Sequence, residues 1–408
     1  MKLGELIEIK HGYAFSGEHI VEDDNGIVLV TPGNFRIGGG FKEEKCKFFD
    51  GEIPADYVLK EGDFIVTMTD LSKTIDTLGY SALVPKSKRI YLHNQRIGLV
   101  TFKSDECDRG YIYWLMRTRE YQRSIANTST GATVHHTSPK KIYDYDLEVP
   151  PLPIQHRIAN ILSRYDSLIE NYQKQIKLLE EAAQRLYKEW FVDLRFSGHE
   201  NTNIIDGVPE GWEKKTIDDV TCKVTTGLNP RKNFVLGKGS NYYVTIKNMA
   251  DNTLFLDDRC DRVDNEALEK INKRSDLKIG DILFSGIGTI GRVALVDIPT
   301  NNWNVSESVF TLRANDIVTK EFLYLMLLSP DMQNYCQSNA HGAAQKGIRM
   351  ADLKAYSFNL PPFGVIQKFT NLVTPTIKKV SSIRNQIRLL TEARDRLLPK
   401  LMSGEIAV

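Results

Sequence analysis

The sequence predicts an α+β fold built twice over, with two mixed α/β domains alternating with two long helices. Three features carry this expectation: an in-register internal repeat, period-2 apolar segments inside each copy, and a heptad-patterned stretch after each of two diprolines. YWLMRTREYQRSIANTSTGA (113–132) lies on YLMLLSPDMQNYCQSNAHGA (324–343) without a gap. The same offset of 211 residues carries Pro150 onto Pro361 and Leu186 onto Leu397. Upstream, LKEGDFIVT (59–67) matches LKIGDILFS (277–285), and TLGYSALV (77–84) matches TIGRVALV (289–296).

Within a copy, strands come first. GIVLV, DFIVTM and IGLVTF alternate apolar residues between Gly, Asn and Asp turn signals. A short helix is expected around 111–125 and 321–335, then a Gly-containing loop and a last strand, YDLEV or YSFNL. The diproline ends that strand, because proline has no N–H for a ladder and is tolerated at the start of a helix. The first long helix carries Ile158, Ile161, Tyr165, Leu168, Tyr172, Leu179, Ala182 and Leu186 at spacings of 3 and 4, interrupted at Gln175. The second carries Val373, Val380, Ile383, Ile387, Leu390 and Leu397, with Thr376 and Arg394 as weak points. Such a stripe packs either on its own domain or on a partner helix, and two matching rods in one chain favour mutual packing. The expected boundaries are 1–153 for the first domain, 154–208 for the central helix and linker, 209–362 for the second domain and 363–408 for the C-terminal helix.

Bulk composition excludes little. The 53 basic and 52 acidic residues leave a formal charge of +1, so no overall excess identifies a partner. Cys46, Cys107, Cys222, Cys260 and Cys336 are scattered, without the spacing of a metal site, which fits a reduced cytoplasm. No apolar run approaches the roughly 20 residues of a membrane span.

The motifs that suggest chemistry fail on context. SGIGTIG (285–291) contains G-x-G-x-x-G but runs into RVALVD, which alternates like a strand, whereas a dinucleotide loop opens a helix. In NLPPF (359–363), Leu360 separates the Asn from the prolines, unlike the N-P-P-F of adenine methyltransferases. No Ser, His, Asp arrangement recurs in both copies, so no catalytic residue is expected.

What remains is a set of polar loops at matching places: TPGNFRIGG with TGLNPRKNF, MTDLSKTIDTLGY with SGIGTIGR, and GATVHHTSPKK with GAAQKGIRM. Arg and Lys grip phosphates or read guanine, and Asn or Gln reads adenine. The loop candidates in the first copy are Tyr13, Ser16, Asn34, Arg36, Lys73, Thr74, His135, His136 and Lys140. In the second they are Asn229, Arg231, Lys232, Ser285, Thr289, Arg292, Gln345, Lys346 and Arg349.

Along its whole length the chain resembles the specificity subunits of Type I restriction-modification systems. The resemblance rests on the two strand, diproline, x-x-x-Q, helix junctions (VPPLPIQHRI, and LPPFGVIQKF with one extra residue), the G-[DE]-hydrophobic strand entries and the C-terminal LLPKLMSGEI. Where the family usually has Glu before the Gln, Ile154 and Ile366 stand. The resemblance implies that each mixed domain is a target recognition domain reading one half of a bipartite double-stranded DNA site, and that the helices form an antiparallel coiled coil. It implies two modification (methyltransferase) subunits holding S-adenosylmethionine, a restriction subunit holding ATP and Mg, and no cofactor, metal or catalytic residue in this chain. The rival from another class is a coiled-coil scaffold whose duplicated domains bind protein or glycan.

Overall fold

The computed structural model describes every residue except Lys45, Lys73, Ser104, Asp251 and 343–345. Its residues group into two compact units, Met1–Asn171 with Ile387–Val408, and Tyr172–Gln386.

The first unit is built on an antiparallel sheet whose strands lie in the order Ile7–His11, Ile97–Phe102, Phe64–Thr67, Ser81–Leu83. Phe64, Ile65 and Val66 are all fully buried, because both faces of this sheet are covered. Phe64 and Val66 face the helices Arg109–Leu115 and Arg119–Asn127, packing among Tyr111, Trp114, Tyr121 and Ile125. Ile65, Ala82 and Ile97 face a second sheet through Val28, Val30, Phe35 and Tyr91. That second sheet contains one parallel pair, Ile27–Val30 with Ile90–His93. Each fully buried large side chain contributes roughly 1.5–3 kcal/mol of apolar transfer energy.

The second unit repeats the plan. Its main sheet runs Thr221–Thr226, Val309–Ala314, Ile282–Ser285, Val293–Leu295, and Asn241–Val244 again pairs in parallel with Trp303–Val305. The G-D strand entry has the same physical basis in both. Asp63 Oδ2 accepts from Lys60 N and Asp281 Oδ2 from Lys278 N, each at 2.8 Å, closing a turn. Gly62 and Gly280 supply the positive φ of that turn, +79° and +96°.

Three expected elements differ. The helix expected over 111–125 is two helices, because the Thr118 hydroxyl accepts from Tyr121 N and starts a new one. Likewise Lys320–Leu327 ends before Pro330–Ser338, which Ser329 caps. YSFNL forms the strand Ser357–Leu360 against Glu213–Thr216, but YDLEV does not form a strand. It meets residues 1–3 through Leu3 N to Tyr145 O, Leu147 N to Met1 O and a single bridge, Lys2 with Asp146.

The long helices are Leu152–Phe191 and Phe363–Met402, 40 residues each. In the first unit the start of the first helix (Ile158, Ala159, Leu162) packs with the end of the second (Leu398, Leu401). In the second unit the end of the first helix (Ala183, Tyr187, Trp190) packs with the start of the second (Ile366, Phe369, Val373). The pair is therefore antiparallel, and each end also joins a domain core, so the two modes of packing coexist.

One column of the first helix's seam is shifted from the sequence expectation. Ile158, Tyr165, Tyr172, Leu179 and Leu186 are buried or half-buried, but Leu168 is 38% exposed and Ala182 is also exposed, while Leu162, Ile169 and Ala183 are buried. A heptad permits a 3-then-4 or a 4-then-3 step, and packing selects the second. Ile176 then continues the column, and the interruption at Gln175 disappears. In the second helix Val373, Val380 and Ile383 are buried, and Ile387, Leu390 and Leu397 half-buried.

The two glutamines of the junctions are not equivalent. Gln155 is buried, donating to Pro150 O at 2.8 Å and accepting from Asp108 N at 2.8 Å, which ties the diproline to a helix cap. With no residue inserted, Ile366 takes that place in the second unit, fully buried, and Gln367 is exposed.

Candidate nucleic-acid interface

The main sheet of each unit has two ends. In the first unit one end leads through Asp108 and Gln155 to the long helix. The opposite end carries four loops tied to one another by backbone hydrogen bonds. Tyr13 N donates to His93 O (2.8 Å) and Gln95 N to Tyr13 O (2.9 Å). Met68 N donates to Arg96 O (2.9 Å), and Thr137 N to Met68 O (3.0 Å). His135 and His136 then pair with Asp70 and Thr69 as a short antiparallel ladder.

The second unit ties its loops in the same sequence. Gly227 N donates to Ser306 O (3.3 Å), Gly286 N to Ser308 O (2.9 Å), and Ile348 N to Gly286 O (2.8 Å). The bridge of Thr130 with His136 reappears as His341 with Gly347. Glycine is required where the first loop meets the hairpin: a Cβ on Gly12 would lie 2.1 Å from Asn94 O, and one on Gly227 1.6 Å from Val305 O.

These contacts correct one loop pairing. TGLN (226–229) corresponds to the loop at Gly12 and Tyr13, and the true partner of TPGN (31–34) is TIKN (245–248). In both, the Asn side chain accepts from the Thr backbone N–H (2.9 Å) and hydroxyl, Asn34 to Thr31 and Asn248 to Thr245. The sequence pairing matched the Asn and missed that T-x-x-N is an internal clasp.

Three candidates are spent on the fold. Asn34 is buried in that clasp. Ser285 is buried, donating to Thr289 O and accepting from Arg292 N at 2.8 Å. Arg292 donates to Ile246 O (2.8 Å) and Met249 O (2.5 Å), stapling the TIKN turn to the sheet. Lys73 and Gln345 lie outside the described residues.

The remaining candidates reach the surface in different ways. Tyr13 is exposed and packs edge-on to Phe15 at 5.1 Å. Ser16, Arg36, Lys140, Arg231, Lys232, Thr289, Lys346 and Arg349 are exposed. Exposed Thr74 donates to Asp76, and His135 is half-buried beside exposed His136, whose Nδ1 lies 3.1 Å from Thr69 Oγ1. Asn229 is half-buried: Oδ1 accepts from Arg231 N (3.0 Å) and Nδ2 donates to Glu307 Oε1 (2.8 Å).

Asp70 sets the shape of the longest of these loops. Its buried carboxylate accepts from Ser72 N (2.6 Å), Thr77 N (2.6 Å), Thr77 Oγ1 (2.7 Å) and Leu78 N (3.1 Å). Burial pushes this carboxyl upward, but the hydrogen bonds from Ser72 and Thr77 outweigh it and hold it below the ordinary carboxylate value.

Sequence reasoning missed the hairpin tips. Gln95 and Arg96, both exposed, stand between Ile90–His93 and Ile97–Phe102, and Glu307 and Ser308 hold the same place in the second unit. The signal was present in the NQR of YLHNQRIGLV, a polar turn between two strand segments. Among the described residues no group of three His, Cys, Asp or Glu could hold a metal, and no helix is long and apolar enough to cross a membrane.

The fold and its paired loop clusters define a protein of two duplicated α+β units on a shared antiparallel helix pair. The family model for the Type I restriction modification DNA specificity domain matches residues 1–181 and again 209–387. The chain belongs to this family of Type I restriction-modification specificity subunits. It is 27% identical over 303 residues to the Type I restriction enzyme MjaIX specificity subunit of Methanocaldococcus jannaschii, covering 73% of this chain and 69% of that one. It is 24% identical to the EcoBI specificity subunit of Escherichia coli over 436 aligned positions, covering 100% of this chain and 85% of the relative. The crystal structure of the S subunit from M. genitalium shares the fold, with a TM-score of 0.56 at 17% identity, over 98% of this chain and 95% of that one.

Proposed function

We propose that this chain supplies the address of a Type I restriction-modification complex: residues 1–153 read one half of a bipartite duplex DNA site, and residues 209–362 read the other. The observation that carries this reading is the repetition of one four-loop cluster, in the same hydrogen-bonded order, at the end of each main sheet away from the long helices. A duplicated reading head suits a site with two halves. The helices, within 154–208 and 363–408, act as the spacer that fixes the gap and as the platform on which two modification subunits dock.

Specificity subunits are non-catalytic components of their complexes, so the chemistry belongs to partners. Modification subunits would bring S-adenosylmethionine for N6-adenine methylation, and the restriction subunit ATP and Mg for translocation and cleavage. On this reading those partners supply much of the phosphate contact, which is compatible with the near-neutral charge of the chain.

The test is long-read methylation mapping of DNA from cells expressing this chain with its modification partner, against cells expressing the partner alone. A new N6-methyladenine mark at a split motif with a fixed gap is expected. No new mark, despite a verified complex with an active methyltransferase, overturns the reading.

A further inference from the structure

The two loop clusters are alike in backbone and unlike in chemistry, and the hairpin tips are one place where they differ. Resting on the reading that each cluster faces DNA, we propose that Arg96 selects a guanine in one half-site and Glu307 selects a cytosine in the other.

The first tip presents a fixed base and a free head. Arg96 N donates to Asn94 Oδ1 (2.9 Å), its carbonyl accepts from Met68 N (2.9 Å), and Gln95 N is bound to Tyr13 O (2.9 Å). His93, buried beneath, lies 2.8 Å from Ile97 O across the turn. The backbone of the tip is therefore held on both sides. The Arg96 guanidinium itself makes no hydrogen bond or ion pair among the described residues, and it is exposed. A positioned, unpartnered guanidinium is suited to the paired O6 and N7 acceptors of guanine in the major groove, and its planar fork matches that pair better than the point charge of a lysine ammonium does.

The second tip inverts the charge. Glu307 stands where Gln95 stands in the first unit; Asn229 Nδ2 donates to its Oε1 at 2.8 Å, and the Tyr243 hydroxyl, whose single proton is shared with Leu228 O at 2.7 Å, lies 3.1 Å from its Oε2. No Lys, Arg or His ion pair neutralises it among the described residues. Beside it Ser306 and Ser308 hydroxyls are 2.7 Å apart, and Ser308 O is bound by Gly286 N. A carboxylate in this place repels phosphate and guanine acceptors. It accepts hydrogen bonds from an exocyclic amino group, and cytosine N4 is the base group that a carboxylate reads in the major groove. Each half-site must then contain a G·C pair, recognised from the guanine side in one half and from the cytosine side in the other.

The test maps methylation by complexes of this chain with its modification subunits, carrying Arg96→Ala, Arg96→Lys or Glu307→Gln. Arg96→Ala should relax one G·C position in a single half by about 5- to 150-fold in discrimination, the worth of one good bidentate pair, and Arg96→Lys should relax the same position by a smaller factor, since an ammonium still donates to guanine. Glu307→Gln should relax one position in the opposite half only. Thermal melting of each complex separates lost discrimination from lost folding; Arg96, having no side-chain partner among the described residues, should melt as wild type. A half-site made only of A·T pairs overturns the assignment, as does an unchanged motif in all three variants. A uniform slowing by Arg96→Ala with the motif intact, restored by Arg96→Lys, also overturns it by making Arg96 a phosphate contact. A wild-type complex that marks no split motif overturns the underlying reading instead.

Discussion

Asp166 on the first long helix is shared by two arginines: Arg394 on the second long helix donates to Oδ1, and Arg117 at the end of a domain helix donates to Oδ2 at 2.5 Å. Arg117 is almost wholly buried, lies over the Trp114 ring at 4.2 Å and also donates to Gly38 O. Arg394, a weak point in the heptad stripe, is thus part of a charge cluster that joins both helices to the first unit's core. At the residues one repeat away, the second unit has Leu328, Ile377 and Ala183, all within its apolar core. Charge is used in one copy and hydrocarbon in the other.

This difference makes a stability prediction. Asp166→Ala strands Arg117 in the interior and should cost about 3–5 kcal/mol, since removing one partner of a buried pair leaves an uncompensated charge. The triple replacement Arg117→Leu, Asp166→Ile, Arg394→Ala, which copies the second unit, should cost less than Asp166→Ala alone. Denaturant unfolding of the three proteins measures it. A triple variant less stable than the single one would show that the cluster is worth more than the apolar alternative.

Asp70 predicts a pH dependence of the loop it organises. Its carboxyl is held below the ordinary value of 3.8, so the stability it confers is fully present above that value and is lost as pH falls through the lower folded-state value. Asp70→Asn should destabilise by about 1.5–3 kcal/mol at neutral pH, the typical worth of hydrogen bonds to a charged group, and the gap to wild type should close in acid. Amide exchange of Ser72, Thr77 and Leu78 against pH reads this directly, and equal protection in the two proteins at neutral pH would refute it.

Much of the fold was legible in the sequence because duplication offered each segment twice. The strand entries at Asp63 and Asp281 and both diproline junctions stood out for that reason. Leu168 and Ile169 were not separable, because a heptad repeat allows both phases and only packing chooses. The loops were harder. Asn34, Ser285 and Arg292 are the polar residue types that read DNA, yet here they bind their own backbone, and a sequence carries no mark of where a hydrogen bond ends. Gln95 and Arg96 were passed over because a short turn looks like punctuation until the sheet places it beside Tyr13 and Met68.

That distinction between clasp and surface is itself testable. Arg292→Ala removes both carbonyl contacts of the TIKN turn and should lower the melting temperature of the chain by several degrees, at about 1–3 kcal/mol. Lys346→Ala, exposed and bound only through its backbone carbonyl among the described contacts, should melt within about 0.5 kcal/mol of wild type and weaken DNA binding by the complex with a shallower salt slope. If Lys346→Ala leaves the salt slope of the complex unchanged, that loop does not touch the phosphate backbone.

The antiparallel helices make spacing the last consequence. If they set the gap between half-sites, inserting one heptad into each helix within the seam, between Tyr172 and Leu179 and at a matching place near Val380, lengthens both by about 10 Å while keeping the stripe in phase. On B-DNA that is about three base pairs at 3.4 Å each. The two half-site sequences should be unchanged, because the loop clusters are untouched, and the non-specific gap in the methylated motif should grow by about three. A rise of that size also rotates one half-site by roughly a third of a helical turn relative to the other, since a full turn takes 10–10.5 base pairs. Methylation should therefore slow even where the new gap is accepted. An active complex that still marks the original gap would show that the helices join the units without measuring the distance between their targets.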